Sequence, residues 1–227
     1  MVNLEIPSET PLGKKIERIG VWMSGGADSS LLCYLLAKKI KEDQLDCKLV
    51  PLTIDYKRPY AFIAVSVREK IEELLDCKDV FLPHKIYHPP EDVTWTPEEL
   101  AEQFHIRNFQ HFKNGDVQML FSGITTNPPR DVQETFNYGI LEDVETVRGE
   151  GVEKETRRYF VKYGGEFLEL KPFFDVNKKE IAKIYNEHNL METIFPLTRS
   201  CEHIGTSTGH CGECWWCQER LWAFGAL

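Results

Sequence analysis

At 227 residues, with 42% hydrophobic and 28% charged side chains, the chain has the balance of an ordinary globular protein and the length for one α/β domain with a full core. A formal net charge of −9 and a pI near 5.3 disfavour nonspecific binding to nucleic acid, whose phosphates the surface as a whole would repel. No apolar run approaches the roughly 18 residues that cross a bilayer, and the acidic first ten residues carry no secretory pattern, so a cytoplasmic protein without a membrane partner is expected.

The apolar run Ile19 to Met23 stops at Ser24-Gly25-Gly26, and beyond Asp28 the residues Leu31, Leu32, Leu35, Leu36 and Ile40 recur at helical spacing. That pattern predicts strand, tight turn and helix. Leu49 to Ile54 reads as a second buried strand ending at Asp55, Ala61 to Leu75 as a helix, and Val80 to Leu82 as a third short strand. His84 to Pro97 has no period and reads as a loop, whereas Pro97 to Phe112 reads as a helix capped by Thr96, with Glu98 and Glu99 in its first turn.

Val117 to Ile124 is the next predicted strand, and the proline-bearing Thr125 to Arg130 is a loop at its C-terminal edge, where open α/β sheets bind ligands. Gly139 to Gly165 is charged and reads as an inserted hairpin or excursion, in which Arg157, Arg158 and Lys162 form a short basic cluster of the kind that is usually a solvated face. Phe167 to Leu170 and Lys178 to His188 complete the pattern as strand and helix. The alternation predicts an α/β fold, a Rossmann-like parallel sheet with helices on both faces. Residues 1–198 form that domain, with 139–165 inserted, and 199–227 form a C-terminal metal-binding segment.

Ser24-Gly25-Gly26-Ala27-Asp28-Ser29-Ser30 lies between the first strand and helix. Glycines there let the backbone approach an anion, and the first amides of a helix point at it. The three serines add hydroxyl donors, and Asp28 is placed to hold a Mg²⁺ that bridges phosphate oxygens. The Lys of a Walker loop is missing, and a plain glycine turn is the alternative reading. The stretch resembles the SGG-x-DS[ST] signature of the PP-loop ATP pyrophosphatases, which cut ATP between its α and β phosphates. The resemblance implies nucleotide or metal contacts at Ser24, Gly25, Gly26, Ala27, Asp28, Ser29 and Ser30, with Asp55 near the nucleotide.

Seven cysteines are unevenly spread: Cys33, Cys47 and Cys77 stand singly, while Cys201, Cys211, Cys214 and Cys217 crowd the C-terminus. Four thiolates close a tetrahedral zinc shell with no open position, the mark of a structural site. A thiolate nucleophile for sulfur transfer is the competing reading, with His203 and His210 as reserve ligands. Ser200-Cys201 followed by Cys211-Gly212-Glu213-Cys214-Trp215-Trp216-Cys217-Gln218-Glu219-Arg220 resembles the tail of the 7-cyano-7-deazaguanine synthases. Pro172 with Lys178-Lys179-Glu180-Ile181 is similar to the same family's P-x5-K-x-E-I stretch, which implies Lys178 near the phosphates; a solvated helix start is its bland alternative. Arg107-Asn108 resembles that family's substrate-side R-N pair, although Phe104-His105-Ile106 replaces the usual Pro-Gly and Ile124 to Asp131 replaces the acidic substrate loop.

The resemblance implies a ligase of queuosine biosynthesis. ATP adenylates the carboxylate of a carboxylated 7-deazapurine, ammonia gives the amide, and a second adenylation removes its oxygen to leave a nitrile, with Ser24, Asp28 and Lys178 stabilising the departing pyrophosphate. It also implies a homodimer. A PP-loop thiolase acting on tRNA or a small molecule, and a nucleotide-binding module without activity, are the other readings. His84, His88, His105 and His111 are scattered and read as ordinary surface or core residues.

Overall fold

The computed structural model describes residues 4–55, 60–88, 90, 96–137, 159–162, 167–201, 203 and 209–227. Its centre is strand β1 (Arg18–Trp22), flanked by β2 (Lys48–Ile54) and β4 (Met119–Phe121) in parallel register. The alternation of a strand sends Ile19 and Val21 to one face and Trp22 to the other. On the first face they meet Leu31, Leu32 and Leu36 of α1 (Ala27–Glu42), Ile63 and Val67 of α2 (Tyr60–Leu75), and Ile181 and Tyr185 of α5 (Lys178–Glu187). On the second face Trp22, Leu52 and Leu120 are covered by Leu100, Phe104 and Phe112 of α3 (Pro97–Lys113), and a short α4 (Arg130–Gln133) follows β4 in the chain. Each fully buried Leu or Ile contributes about 1.5–3 kcal/mol, so both faces hold the sheet. Helices on both faces are what the sequence pattern predicts.

Six strands lie in the order β3 (Lys85–Tyr87), β2, β1, β4, β6 (Phe167–Leu170) and β5 (Tyr159–Lys162). β3 pairs with β2, and β6 with β4, both in parallel. β5 is the antiparallel exception, pairing with β6 at the outer edge. The chain therefore turns one way after β1 and the other way after β4, which opens a crevice beyond the C-terminal ends of these two strands.

Three boundaries differ from the sequence reading. Val80 to Leu82 is not a strand: Lys78–Val80 is a 3-10 turn and Phe81 makes a single bridge to Leu49. The true third strand lies a few residues on, inside the stretch read as loop, where three half-buried residues are too few to show a period. β4 covers only the middle of Val117 to Ile124, because Ser122, Gly123 and Ile124 leave the sheet to line the crevice. Of the insertion, 159–162 forms β5, while Arg157, Arg158 and the rest of 138–158 and 163–166 lie outside the described residues. The cap on α3 is as predicted: Thr96 Oγ1 accepts the Glu99 amide at 3.2 Å and Glu99 returns a bond to the Thr96 amide at 2.7 Å.

A candidate active site joined to a four-cysteine metal centre

Between β1 and α1 the chain turns through Gly25 at φ +77°, in the left-handed region. A Cβ at Gly25 would stand 2.5 Å from Ile63 Cγ2 of α2, so only glycine allows this turn against that helix. Gly26 takes the N-cap position of α1 and offers no side-chain cap, which leaves the first amides of the helix directed outward, an arrangement that suits an anion. Ser24 and Ser29 brace the turn. Ser29 Oγ accepts the Ser24 amide and donates to the Gly26 carbonyl, both at 3.2 Å. Ser24 Oγ accepts the Gly26 amide at 3.2 Å. The Ser29 proton is already committed, so the exposed Ser24 hydroxyl is the one able to turn toward a ligand. Ser30 is fully buried behind the loop. Gly123 packs on the same helix start, where a Cβ would come within 3.0 Å of Ser29 backbone atoms. The sequence reading passed over it, because a glycine after a strand carries no signal of what approaches it.

Asp28, in the first turn of α1, is 3.4 Å from the ammonium of Lys178. Its Oδ1 is buried and has no hydrogen-bond partner among the described residues. Lys178 is no solvated helix start: it is buried, and the Asn177–Glu180 capping box holds it at the first position of α5. Its ammonium bonds the carboxylate of Glu219, which is itself fully buried. Glu219 was not singled out from sequence, since a lone Glu on a helix normally reads as solvated.

Glu219 belongs to α6 (Trp215–Phe224), which begins at the metal centre. The sulfurs of Cys201, Cys211, Cys214 and Cys217 all lie within 4.8 Å of one another. Those of Cys211 and Cys217 are 3.9 Å apart, and a tetrahedron with 2.3 Å metal–sulfur bonds has edges of about 3.8 Å. Amides of His203 and Cys211 point at Cys201 Sγ and that of Cys214 at Cys211 Sγ, at 3.3 to 3.4 Å, as suits sulfurs carrying negative charge. Burial, and then the adjoining Cys214 and Cys201 sulfurs, push the Cys217 thiol up, a penalty that a bound cation reverses. The four cysteines thus form a metal-binding site, and His210 instead accepts the Ser200 amide at 3.4 Å. Arg220, also on α6, is fully buried, with its guanidinium 3.8 Å over the Phe195 ring and bonded to Thr198 Oγ1 and the Phe195 carbonyl; burial lowers its pKa to about 10.

A cleft of about 560 Å³ opens beside the loop, a volume ordinary for small-molecule sites. Ser24 and Ser29 form one side, Trp22 and Phe104 stand edge to face at 4.8 Å, and Ser122, Glu169 and Lys171 come from the ends of β4 and β6. Of the two substrate-side candidates, Asn108 lines the cleft and accepts the Trp22 indole N–H at 2.8 Å. Arg107 lies away from that lining, 4.8 Å over the Tyr87 ring. Asp55 accepts the Ala61 amide at 3.3 Å and faces His88 at 3.3 Å, at the start of α2. The other histidines serve the framework: His84 meets Thr53, and His111 joins Tyr87 to Asp116. His105 lies exposed at the cleft wall.

Such a turn, feeding a bare helix start at the reversal of a parallel sheet, suits a phosphate-bearing ligand. Residues 158–227, under a third of the chain, match the family model described as queuosine biosynthesis protein QueC. No curated protein sequence matches the chain. Among solved structures it is similar to the U34-tRNA thiolase NcsA from Methanococcus maripaludis with its [4Fe-4S] cluster, at 17% identity and a TM-score of 0.46. That match covers 81% of this chain, which spans only 58% of the thiolase. It is similar also to phosphoadenylyl-sulfate (PAPS) reductase from Candida auris in a phosphate complex, at 9% identity and a TM-score of 0.39, covering 75% of this chain and 72% of that one. At these values the likeness does not extend to chemistry. No helix among the described residues is long and apolar enough to cross a membrane.

Proposed function

We propose that the protein is an ATP-dependent ligase that adenylates a carboxylate and, with ammonia, converts it through an amide to a nitrile, with 7-carboxy-7-deazaguanine as substrate and 7-cyano-7-deazaguanine as product. The observation that carries this reading is the joining of two motifs: α6 brings Glu219 from the four-cysteine tail onto Lys178, beside Asp28 of the loop. The family match covers that tail.

A carboxylate is a poor electrophile because oxide would have to leave; joined to AMP through oxygen it has a good leaving group. The residues here are suited to the pyrophosphate side of that step. Amides at the start of α1 and the Ser24 hydroxyl bind the polyphosphate, and the Lys178 ammonium offsets charge as it leaves. The orphaned Asp28 Oδ1 fits a Mg²⁺ ligand, and Mg²⁺ would supply charge neutralisation across the phosphate oxygens. The tail fits zinc in a structural role, since its four sulfurs leave no open position. That set also speaks against a thiolase. The clustered sulfurs serve one metal, and Cys33, Cys47 and Cys77 are buried thiols whose pKa values are raised by desolvation, Cys77 to about 11, the opposite of an activated nucleophile.

The test is mass spectrometry of the products formed from ATP, ammonium and 7-carboxy-7-deazaguanine. Nitrile, AMP and pyrophosphate are expected, and Ser24→Ala and Asp28→Ala should bring all three to background while both variants stay folded by circular dichroism. Normal pyrophosphate release by both variants would remove the loop from the reaction. Absence of nitrile from the wild type would remove the substrate.

A further inference from the structure

Glu169 brings a charge into a cleft whose other walls are largely apolar. It sits on β6 and is only 7% exposed, yet it lines the cleft together with Trp22, Ile54 and Phe104. Its Oε1 accepts from the Ser122 hydroxyl at 3.4 Å and lies 3.9 Å from the Lys171 ammonium. A carboxylate accepts and does not donate, so a ligand group that meets it must carry N–H or O–H donors. Two oxygens side by side match two adjacent donors, and the aromatic rings of the cleft favour a flat partner. Asn108 supplies the complement. Its carbonyl oxygen is taken by the Trp22 indole, which leaves its amide hydrogens for an acceptor such as a ring oxo group.

We infer that Glu169 is the specificity residue of this cleft, its two oxygens accepting the ring N–H and the exocyclic amine of a planar 2-amino-4-oxopyrimidine ring held against Trp22. The inference rests on the ligase reading only in the choice of that ring, and it deepens that reading by fixing how the substrate lies. With its amine edge at Glu169, the ring turns its far side toward Ser24 and Ser29, where activation is proposed.

Equilibrium binding to the full-length protein tests this without any turnover. The probes are 7-deazaguanine and 7-deazahypoxanthine, which differ by the exocyclic amine alone. Hydrogen bonds to a charged acceptor predict a preference of at least about 10-fold for the amine-bearing base in the wild type. Glu169→Gln, which keeps the shape but replaces one acceptor by a donor, should bring the two affinities within about 2-fold. A merely structural Glu169 would weaken both bases alike and leave their ratio unchanged. The wild-type comparison stands even if the variant does not fold. Equal wild-type affinities, a preference retained by Glu169→Gln, or displacement of 7-deazaguanine by adenosine would each overturn the inference. A clear preference with no nitrile formed sinks the ligase reading and spares Glu169; nitrile formed without the preference does the reverse.

Discussion

The hydroxyl of Thr53 donates to the Met23 carbonyl at 2.6 Å, so the His84 Nε2 that lies 2.8 Å from the same oxygen must be the donor in that pair. That fixes the neutral tautomer with a bare Nδ1, which is buried and unpartnered among the described residues. Burial first, and then Arg68, lower the His84 pKa to about 4. The unfolded chain, with an ordinary value near 6.5, therefore takes up the proton before the folded one does. This contribution to stability is fully present above about pH 6.5 and is lost as pH falls toward 4. Between pH 7 and pH 5 the loss should reach about 1–2 kcal/mol. Urea titrations at the two pH values check it: His84→Gln should lose less stability than the wild type, and parallel pH slopes would disprove the assignment. At this scale the sequence was partly legible. Ser24, Asp28 and the four cysteines declare themselves because their spacing is local. Glu169 does not, because Glu169 between Leu168 and Leu170 looks like the outward position of a strand; only the sheet order turns that position into a cleft wall.

Among the elements, α5 and α6 meet through charge as well as through rings. Lys178 and Glu219 pair in the interior, and Tyr185 and Phe224 stand edge to face with centroids 5.5 Å apart. A buried pair is held less by its net attraction than by the penalty of leaving either partner alone. Glu219→Leu should therefore destabilise the fold by about 3 kcal/mol, while the double substitution Lys178→Met with Glu219→Leu should recover most of that loss. Chemical denaturation of the four proteins of this cycle gives the answer, and additive losses would mean that the charges do not couple. Helix type and rough length were readable at this level from apolar spacing, as the Thr96 cap of α3 and the start of α5 at Lys178 bear out. β3 was missed, since three residues at a sheet edge draw their conformation from Leu52 to Ile54 alongside and not from their own composition.

In the whole molecule, the metal centre and the loop occupy opposite ends of the sequence but one region of the structure. α6 is capped by Cys214 and carries Cys217, Glu219 and Arg220 inward, so an ion held by the four cysteines would also dock the helix. Removing it with a chelator should lower the melting temperature by several degrees and shift tryptophan emission to the red as Trp215 loses its cover, with recovery on adding zinc and not magnesium. A chelated protein with unchanged melting would show that the sulfurs are not structural. This long-range closure could not be read from the tail, whose spacing tells what it binds and not where it docks.

The tail reaches the loop by one further bond, from the Arg199 amide to the Gly25 carbonyl at 2.9 Å. The turn is therefore held in shape by the protein itself, ahead of any ligand. Little conformational entropy would remain to be surrendered on binding, so an anion seated at the turn would keep most of its contact free energy.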